Sequence, residues 1–185
     1  SVIFPLQIDP AVTPAAWPLT FAPPNTPGNA GAVGSFCYSI VGHEFSYKLG
    51  APHGQLFPYE VTTKPGTTYA TYRQQIASAK TLVTATTTGT AITLGLLGVT
   101  QKLVVVLHVF AITGGSWVLT VESDDNAPFA TPTTRLTMAA VTTAPFRIVQ
   151  SVNGAVATDT FWRVVMTKTG GTDLTYAVSF SFANL

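Results

Sequence analysis

The end of the chain alternates strictly between large apolar residues and small or polar ones. The apolar positions are Leu174, Tyr176, Val178, Phe180 and Phe182, and those between them are Thr175, Ala177, Ser179 and Ser181. A period of two residues is that of a β-strand with one buried face, because successive side chains point to opposite faces of a sheet. The segment therefore predicts a strand and argues against an amphipathic helix.

The same pattern of strands and turns extends back to about residue 90. Val and Leu occupy both parities of 103–112, which predicts a strand buried on both faces. Four more strands are predicted, at 117–122, 135–141, 146–152 and 161–168, with Gly, Pro or Asn turns at 113–115, 124–128, 153–154 and 169–173. Short strands separated by such turns indicate an antiparallel sandwich or barrel. We predict an all-β fold, an antiparallel β-sandwich of jelly-roll or immunoglobulin-like type.

The residues before this region are less regular. Residues 35–66 carry short alternating runs between Gly and Pro turns, which suggests two or three short strands. Residues 67–80, "TTYATYRQQIASAK", have the composition of a helix. We therefore expect at most one short helix in the chain, and expect it there.

Residues 1–34 form a Pro-rich segment of distinct composition. The segment holds most of the chain's 13 prolines together with apolar residues such as Phe4, Leu6 and Trp17. Proline fixes φ and removes a backbone donor, so the segment should be extended. We expect an extended arm at 1–34 and a single sandwich domain at 35–185. The arm either lies on a neighbouring subunit or wraps around its own domain.

The chain is unusually poor in charge. Charged residues make up 9% of it, against about 25% in an average soluble domain, and the mean hydropathy is +0.35. The longest apolar run, 103–112, is about half of the roughly 20 residues that a membrane-spanning helix needs, and His108 interrupts it. We expect no membrane span, and "SVIFPLQIDP" does not resemble a signal peptide.

The low charge content also indicates which partners the chain has. A chain with so few charges tends to associate unless its apolar surface is buried, which favours a homo-oligomer; a Thr-coated β protein is the alternative. The net charge of +1 without a Lys/Arg cluster argues against a nucleic-acid site. A lone Cys37 excludes an intramolecular disulfide.

Three acids lie close together in "GGSWVLTVESDDNAPF" (114–129), and they raise the question of a site. Glu122, Asp124 and Asp125 lack the spacing of an EF-hand loop, although Asp124 and Asp125 with a distant Asp159 could hold calcium. A glycosidase pair is disfavoured, because adjacent acids in an extended chain point to opposite sides. The favoured interpretation is a turn at 122–126 that ends a strand, with Pro128 stopping further pairing.

Other chemistry finds little support. His43, His53 and His108 have no spacing typical of a metal site, and a histidine in an apolar strand is usually a satisfied core residue. Cys37 has no adjacent base, and no nucleophile elbow or phosphate-binding loop occurs. We predict no catalytic, cofactor-binding or metal residue, no cofactor and no enzyme activity. Trp17, Trp117 and Trp162 could supply platforms for sugar, although core packing is the favoured role of Trp117 and Trp162, which lie in predicted strands.

Four strand and turn patterns stand out in the second half of the chain: "LHV" at 107–109, "VESDD" at 121–125, "TDTFWR" at 158–163 and "YAVSF" at 176–180. With these patterns the second half resembles a β-sandwich domain of tailed-bacteriophage virion proteins. Such domains are similar to those of phage major tail proteins and of capsid decoration proteins. About half of the chain is covered, and the Pro-rich arm is not part of the pattern.

The resemblance implies a structural protein of the virion, assembled in the host cytoplasm. A tail-tube subunit would form hexameric rings, a decoration protein would form trimers, and either would contact other virion proteins. A carbohydrate-binding sandwich module is the alternative from another functional class, and it needs an exposed aromatic platform.

Overall fold

A computed structural model describes residues 17–21, 31–49, 59–65, 71–156 and 158–185 of the chain. Side chains are described for Thr20 and for residues 31–39, 73–156 and 158–185. Within these residues the chain forms β-strands and no helix. The strands are β1 (Trp17–Phe21), β2 (Phe36–Leu49), β3 (Tyr59–Pro65), β4 (Thr71–Val83), β5 (Thr87–Thr88), β6 (Ile92–Thr93), β7 (Gln101–Thr113), β8 (Trp117–Asp124), β9 (Thr133–Thr137), β10 (Phe146–Asn153), β11 (Phe161–Lys168) and β12 (Asp173–Asn184).

The strands form two antiparallel sheets. The large sheet has the order β1-β2-β4-β12-β7-β10, with β3 also paired to β2. The small sheet has the order β5-β11-β8-β9, with β6 also paired to β11. The predicted all-β antiparallel sandwich is therefore confirmed.

The main core lies between the two sheets. The large sheet contributes alternate residues of β7 and β12, and the small sheet contributes those of β8 and β11. The bulkiest of these buried side chains are Trp117, Trp162, Tyr176 and Phe180. The alternation at 174–182 thus marks the face of β12 that packs on the small sheet, as the sequence predicted.

The large sheet is rolled up rather than flat. Thr20 Oγ1 of β1 lies 2.8 Å from His108 Nε2 of β7. In a flat sheet the three strands between them would hold β1 and β7 about 19 Å apart, at the usual spacing of about 4.8 Å between neighbours. The first and last strands of the sheet, β1 and β10, also contact each other. The large sheet therefore has a convex face against the small sheet and a concave face turned inward on itself.

The rolling explains why one strand is buried on both faces. Every residue of β7 from Leu103 to Val109 is buried. Leu103, Val105 and Leu107 belong to the core between the sheets, whereas Val104 and Val106 alternate with them and face the concave side. The prediction of a strand buried on both faces at 103–112 is therefore confirmed for residues 103–109. One face packs on the small sheet, and the other is covered because the large sheet curves over it.

The helix expected at 67–80 is wrong. Residues 71–83 are β4, which pairs with β12 on one side and with β2 on the other, while 67–70 lie outside the described residues. Gln74 and Ile76 face the concave side and Ala77 faces the main core, a two-residue pattern that the helix-forming composition masks. Hydrogen bonding to a strand on each side outweighs a helix propensity that is worth only a few tenths of a kcal/mol per residue.

The Pro-rich segment contains one described strand, β1. It pairs antiparallel with β2 of the same chain, from Trp17 opposite Gly42 to Phe21 opposite Tyr38. Residues 1–16 and 22–30 lie outside the described part, so the boundary at residue 34 stays a prediction. A search of the described residues for a helix long and apolar enough to cross a membrane finds none.

Two glycine turns meet where the chain passes between the sheets. The turn at 114–116 leads from β7 to β8, and the turn at 169–172 leads from β11 back to β12. Gly115 and Gly171 both have positive φ, +67° and +78°. A Cβ on Gly115 would lie 2.2 Å from the carbonyl carbon of Gly170, and one on Gly171 would lie 2.1 Å from Gly114 O. Only glycine fits such a close approach of two backbones.

Candidate functional site

The acidic stretch at 117–126 is a strand that ends in a turn. Trp117, Leu119 and Val121 of β8 are fully buried, as the alternation predicted. Asp124 ends the strand, and its Oδ1 accepts the backbone N–H of Asn126 at 3.1 Å. Its Oδ2 accepts the backbone N–H of Thr131 at 2.9 Å. The carboxylate therefore organises the turn, which is the favoured interpretation of the sequence.

The pKa of Asp124 reflects that role. Burial raises the pKa of the carboxyl, but the backbone donors of Thr131 and Asn126 favour the ionised form and bring the pKa below its usual value of 3.8. The side chain of Asp125 is exposed and accepts the amide N–H of Asn126 at 2.8 Å. Asp124 therefore lacks the raised pKa of a general acid.

The other two acids each pair with an arginine. Glu122 Oε2 accepts Arg163 Nη2 at 2.8 Å and Arg163 Nε at 2.9 Å, and the same guanidinium lies 4.1 Å from the centre of the Phe129 ring. This contact holds Phe129, which has a positive φ of 54°. Glu122 is thus part of a structural contact with the turn.

Asp159 is the centre of a second, partly buried ion pair. Its Oδ2 accepts Arg135 Nη2 at 2.7 Å and the Ser123 hydroxyl at 2.6 Å, and its Oδ1 accepts the Thr158 hydroxyl at 2.7 Å. Burial raises the pKa of this carboxyl, but these donors outweigh it and lower the pKa below its usual value. No three His, Cys, Asp or Glu side chains in the described residues are grouped as a metal site would require. Calcium binding at 122–126 stays an untested alternative.

The concave face of the large sheet holds an unexpected set of buried polar side chains, which we call the interior polar cluster. Its members are Thr20, Ser39, Gln74, His108 and Ser179. Gln74 Oε1 accepts the hydroxyls of Ser39 at 2.6 Å and of Ser179 at 2.7 Å, and Gln74 Nε2 donates to Val104 O at 3.2 Å. Thr20 Oγ1 lies 2.7 Å from Ser39 Oγ and so joins β1 to the cluster.

The directions of these bonds determine the form of His108. Ser39 donates to Gln74, so its hydroxyl oxygen accepts the proton of Thr20. Thr20 then has no proton left for His108, and His108 Nε2 must carry the hydrogen that binds Thr20 Oγ1. Burial, with the positive charge of Arg147 second, lowers the pKa of His108 from 6.5 to about 4. His108 is a satisfied core residue, as the sequence suggested.

We predict that His108 makes the folded state sensitive to mild acid. Its folded pKa lies below its unfolded pKa, so the unfolded chain takes up the proton first as the pH falls. Stability should be complete above about pH 6.5 and fall by about 3 kcal/mol by pH 4. Chemical denaturation followed by tryptophan fluorescence at each pH measures the slope.

The His108→Gln variant separates this effect from other titrations. Glutamine keeps an N–H for Thr20 but cannot titrate, so the slope between pH 6.5 and 4 should nearly vanish. Asp124 and Asp159 have lowered pKa values and act only below about pH 4. His43→Gln and His53→Gln are the matched controls and should keep the slope; an unchanged slope in His108→Gln would contradict the assignment. The side chains of His43 and His53 lie outside the described residues.

Cys37 is also buried on the concave face. Burial raises the pKa of its thiol from 9.0 to about 11, against a smaller lowering by the side chain of Ser179. The thiol is therefore protonated at neutral pH and is a poor nucleophile, in agreement with the prediction from sequence.

Two of the three tryptophans cannot serve as sugar platforms. Trp117 and Trp162 are fully buried, and Trp162 Nε1 donates to Gly95 O at 2.9 Å. The side chain of Trp17 lies outside the described residues. Nearly half-exposed aromatic rings occur instead at Phe36 and Tyr38, and Arg73 covers one face of Phe36 at 3.8 Å from the ring centre.

A group of exposed apolar residues lies at one end of the sandwich. The loop 94–100 crosses this end between β6 and β7, where the last residue of the chain bonds to it through Leu185 N and Thr100 O. Leu97 of the loop is buried beneath, whereas Leu96, Val99 and Leu185 are each more than half exposed, Val99 at 78%. We call these three residues the apolar end. Sequence reasoning missed it, since isolated apolar residues in a loop show no periodicity.

Comparisons with known proteins yield little. No family model matches the chain, and no curated protein matches it. One similar chain belongs to the structure of infectious bursal disease virus, Gx strain, with 14% identity and a TM-score of 0.35, over 95% of this chain and 53% of that one. Another belongs to the Gt strain of the same virus, with 16% identity and a TM-score of 0.30, over 80% and 43%.

The chain spans about half the length of the viral chains it matches. TM-scores of this size do not establish a common fold, and the architecture of the chain rests on its own strand pairing.

Proposed function

We propose that the chain is a non-enzymatic structural protein of a virion. Its copies assemble into a symmetric lattice, most simply the tail tube or a tail ring of a tailed phage, and the chain resides in the virion after assembly in the host cytoplasm. A capsid decoration protein is the closest alternative. The resemblance of residues 84–183 to tailed-phage virion domains supports both.

The observation that carries the proposal is the apolar end. Leu96 and Val99 expose large apolar side chains on the loop at 94–100, and Leu185 exposes another where its N–H bonds to Thr100 O of that loop. Burying such residues against another protein removes apolar area from water at about 25 cal/mol per Å². With only 9% charged residues, the chain has little else to keep such a surface in solution, so a second copy is the natural cover.

The chemistry of the acids supports a structural role. Glu122 and Asp159 are held by arginines, and Asp124 is held by backbone donors. Groups that catalyse need a lone pair or a proton that is free for the substrate, and each of these carboxylates already accepts hydrogen bonds from groups that hold the fold together. The Pro-rich arm at 1–34, as a unit distinct from the domain at 35–185, completes the proposal as an element that docks on a neighbouring subunit.

The oligomer distinguishes the candidate functions. Native mass measurement and imaging of the assembled particle should give hexameric rings for a tail-tube subunit and trimers for a decoration protein. A stable monomer at assembly concentrations would contradict both.

A carbohydrate-binding module is a weaker candidate, because Arg73 occupies one face of the Phe36 ring. Strong binding on a glycan array would favour this candidate over a structural protein.

Deletion of residues 1–34 should impair assembly if the arm docks on a neighbour.

We predict that charge at the apolar end blocks assembly without unfolding the chain. Val99→Lys and Leu185→Lys should shift the particle to smaller species in sedimentation, because each puts an unpaired charge into a buried contact. Leu82→Lys is the matched control: Leu82 is 63% exposed, close to the 64% of Leu185, but lies on β4 near the opposite end of the sandwich. Equal loss of assembly in all three variants would count against the apolar end as the interface.

A further inference from the structure

The connection between β1 and β2 is far longer than their pairing requires. The two strands are antiparallel neighbours, a relation that a hairpin of two to five residues can make. Residues 22–35 join them instead. Residues 34 and 35 bond to Ile76 of β4, and Ser35 N bonds to Ala32 O. The remaining residues 22–31 can extend over as much as about 33 Å, which is about the diameter of a small domain. The length lets β1 reach the body of an adjoining subunit.

The site that receives β1 is largely complete without it. Ser39, Gln74 and Ser179 bond to one another, and Gln74 also bonds to Val104 O. These residues come from β2, β4, β12 and β7, so the concave face holds its shape through contacts that exclude β1. The strand adds one described side chain to the cluster, the hydroxyl of Thr20.

The contacts that β1 makes do not depend on which chain supplies it. It pairs with residues 38–42 along one edge of β2 and lies against β10. Without β1, this edge of β2 would present unpaired N–H and C=O groups, which readily accept a strand from another chain. Thr20 fixes the register, because only one alignment brings its hydroxyl to both Ser39 and His108.

We propose that β1 is exchanged between copies in the assembled particle. The cleft between β2 and β10 of each copy accepts β1 of a neighbouring copy in the same register, with the neighbour's Thr20 completing the interior polar cluster. Exchange of an identical element keeps every contact of the closed chain and adds a link between subunits at little cost. The inference rests on the proposed self-assembly and identifies the partner of that arm as a second copy of this chain.

A disulfide between β1 and β2 tests the exchange. Thr20 Oγ1 and Ser39 Oγ are 2.7 Å apart, so cysteines at these positions bring their sulfur atoms within bonding reach. Thr20→Cys and Ser39→Cys are introduced together into a Cys37→Ala chain, which removes the native thiol. The protein is assembled, oxidised, and run on a denaturing gel without reductant.

Exchange predicts chains linked into dimers and higher covalent oligomers, and these should collapse to the monomer on reduction. A strand that stays in its own chain gives only an internal link, which runs as a monomer of altered mobility. Particles that form normally from internally linked monomers would overturn the exchange and leave the proposed function standing. Failure of the unmodified chain to form any particle would overturn both.

Mixing provides an independent readout. Chains carrying Thr20→Cys and chains carrying Ser39→Cys, both with Cys37→Ala, are denatured together and co-assembled. A covalent heterodimer is expected, whereas neither chain assembled alone should cross-link. If the buried pair disturbs folding, Leu19→Cys with Ile40→Cys replaces it, since these residues are partners in the same ladder. Absence of the heterodimer, when the doubly substituted chain does form its disulfide, would overturn the proposal.

Discussion

Replacing Gly115 or Gly171 by alanine is expected to prevent folding or to destabilise the chain by more than about 4 kcal/mol. The new Cβ would lie 2.2 Å from the Gly170 backbone in the first case and 2.1 Å from the Gly114 backbone in the second. Both obstacles are backbone atoms, which cannot move aside as a flexible side chain can. The two turns would have to separate, and with them the crossings at which β7 passes to β8 and β11 to β12.

The Gly95→Ala variant is the matched control. Gly95 also has a positive φ, +90°, but no atom lies within 4 Å of the position its Cβ would take. The free energy of unfolding of this variant should fall only by the cost of the strained backbone conformation, about 1–2 kcal/mol. Urea denaturation of the three variants measures the difference. Similar losses at Gly95 and Gly115 would mean that φ alone, and not the close approach of the turns, requires glycine.

The second large effect is expected from Gln74→Leu. The substitution removes the acceptor of Ser39 and Ser179 and the donor to Val104 O, all of them on the concave face. Each buried group left without a partner costs about 1–3 kcal/mol, so a loss of about 4 kcal/mol is expected from the three together. The free energy of unfolding from denaturant titration provides the measurement.

Two further variants test whether the loss comes from stranded polar groups. Gln75→Leu changes the neighbouring glutamine, which is half-buried and absent from the interior polar cluster, and should cost less than about 1 kcal/mol. Adding Ser39→Ala and Ser179→Ala to Gln74→Leu removes the stranded hydroxyls and should restore part of the stability. If this triple variant were less stable than Gln74→Leu alone, packing and not hydrogen bonding would dominate the concave face.

The sequence predicted the strands well where the side chains repeat every two residues. The alternation at 174–182 corresponds to a strand whose apolar residues from Leu174 to Phe180 are buried, and the run at 103–112 corresponds to a strand that is buried on both faces from Leu103 to Val109. The rolling of the large sheet could not be predicted, because curvature leaves no periodic signal. Ser179 therefore looks like a solvent-facing residue of β12 in the sequence and is instead buried against Gln74.

The prediction of a helix at 67–80 was wrong for a related reason. Propensity describes an isolated segment, whereas β4 is fixed by β2 and β12 on its two edges. Gln74 and Ser78 are polar yet buried, so the hydrophobic pattern of the strand is broken where the interior is polar.

The acidic turn was interpreted correctly from its own residues, but the arginines that pair with Glu122 and Asp159 were not predicted. Asp and Asn commonly bond to nearby backbone, and this local rule predicts the role of Asp124. Arg163 lies 41 positions from Glu122 in the chain, and Arg135 lies 24 from Asp159. Pairs at that separation depend on strand register, which a single sequence does not reveal.

The rolled sheet also determines where the molecule yields under mechanical load. β1 is a strand of 5 residues held by one ladder to β2, whereas β12 pairs with β7 along its whole length, from Asp173 to Asn184. A pull transmitted through the N-terminal segment reaches β1 first and can detach it while the core between the sheets stays closed. With β1 exchanged between copies as proposed, tension that separates two neighbours would open this short strand, which can re-form, before it reaches the sandwich.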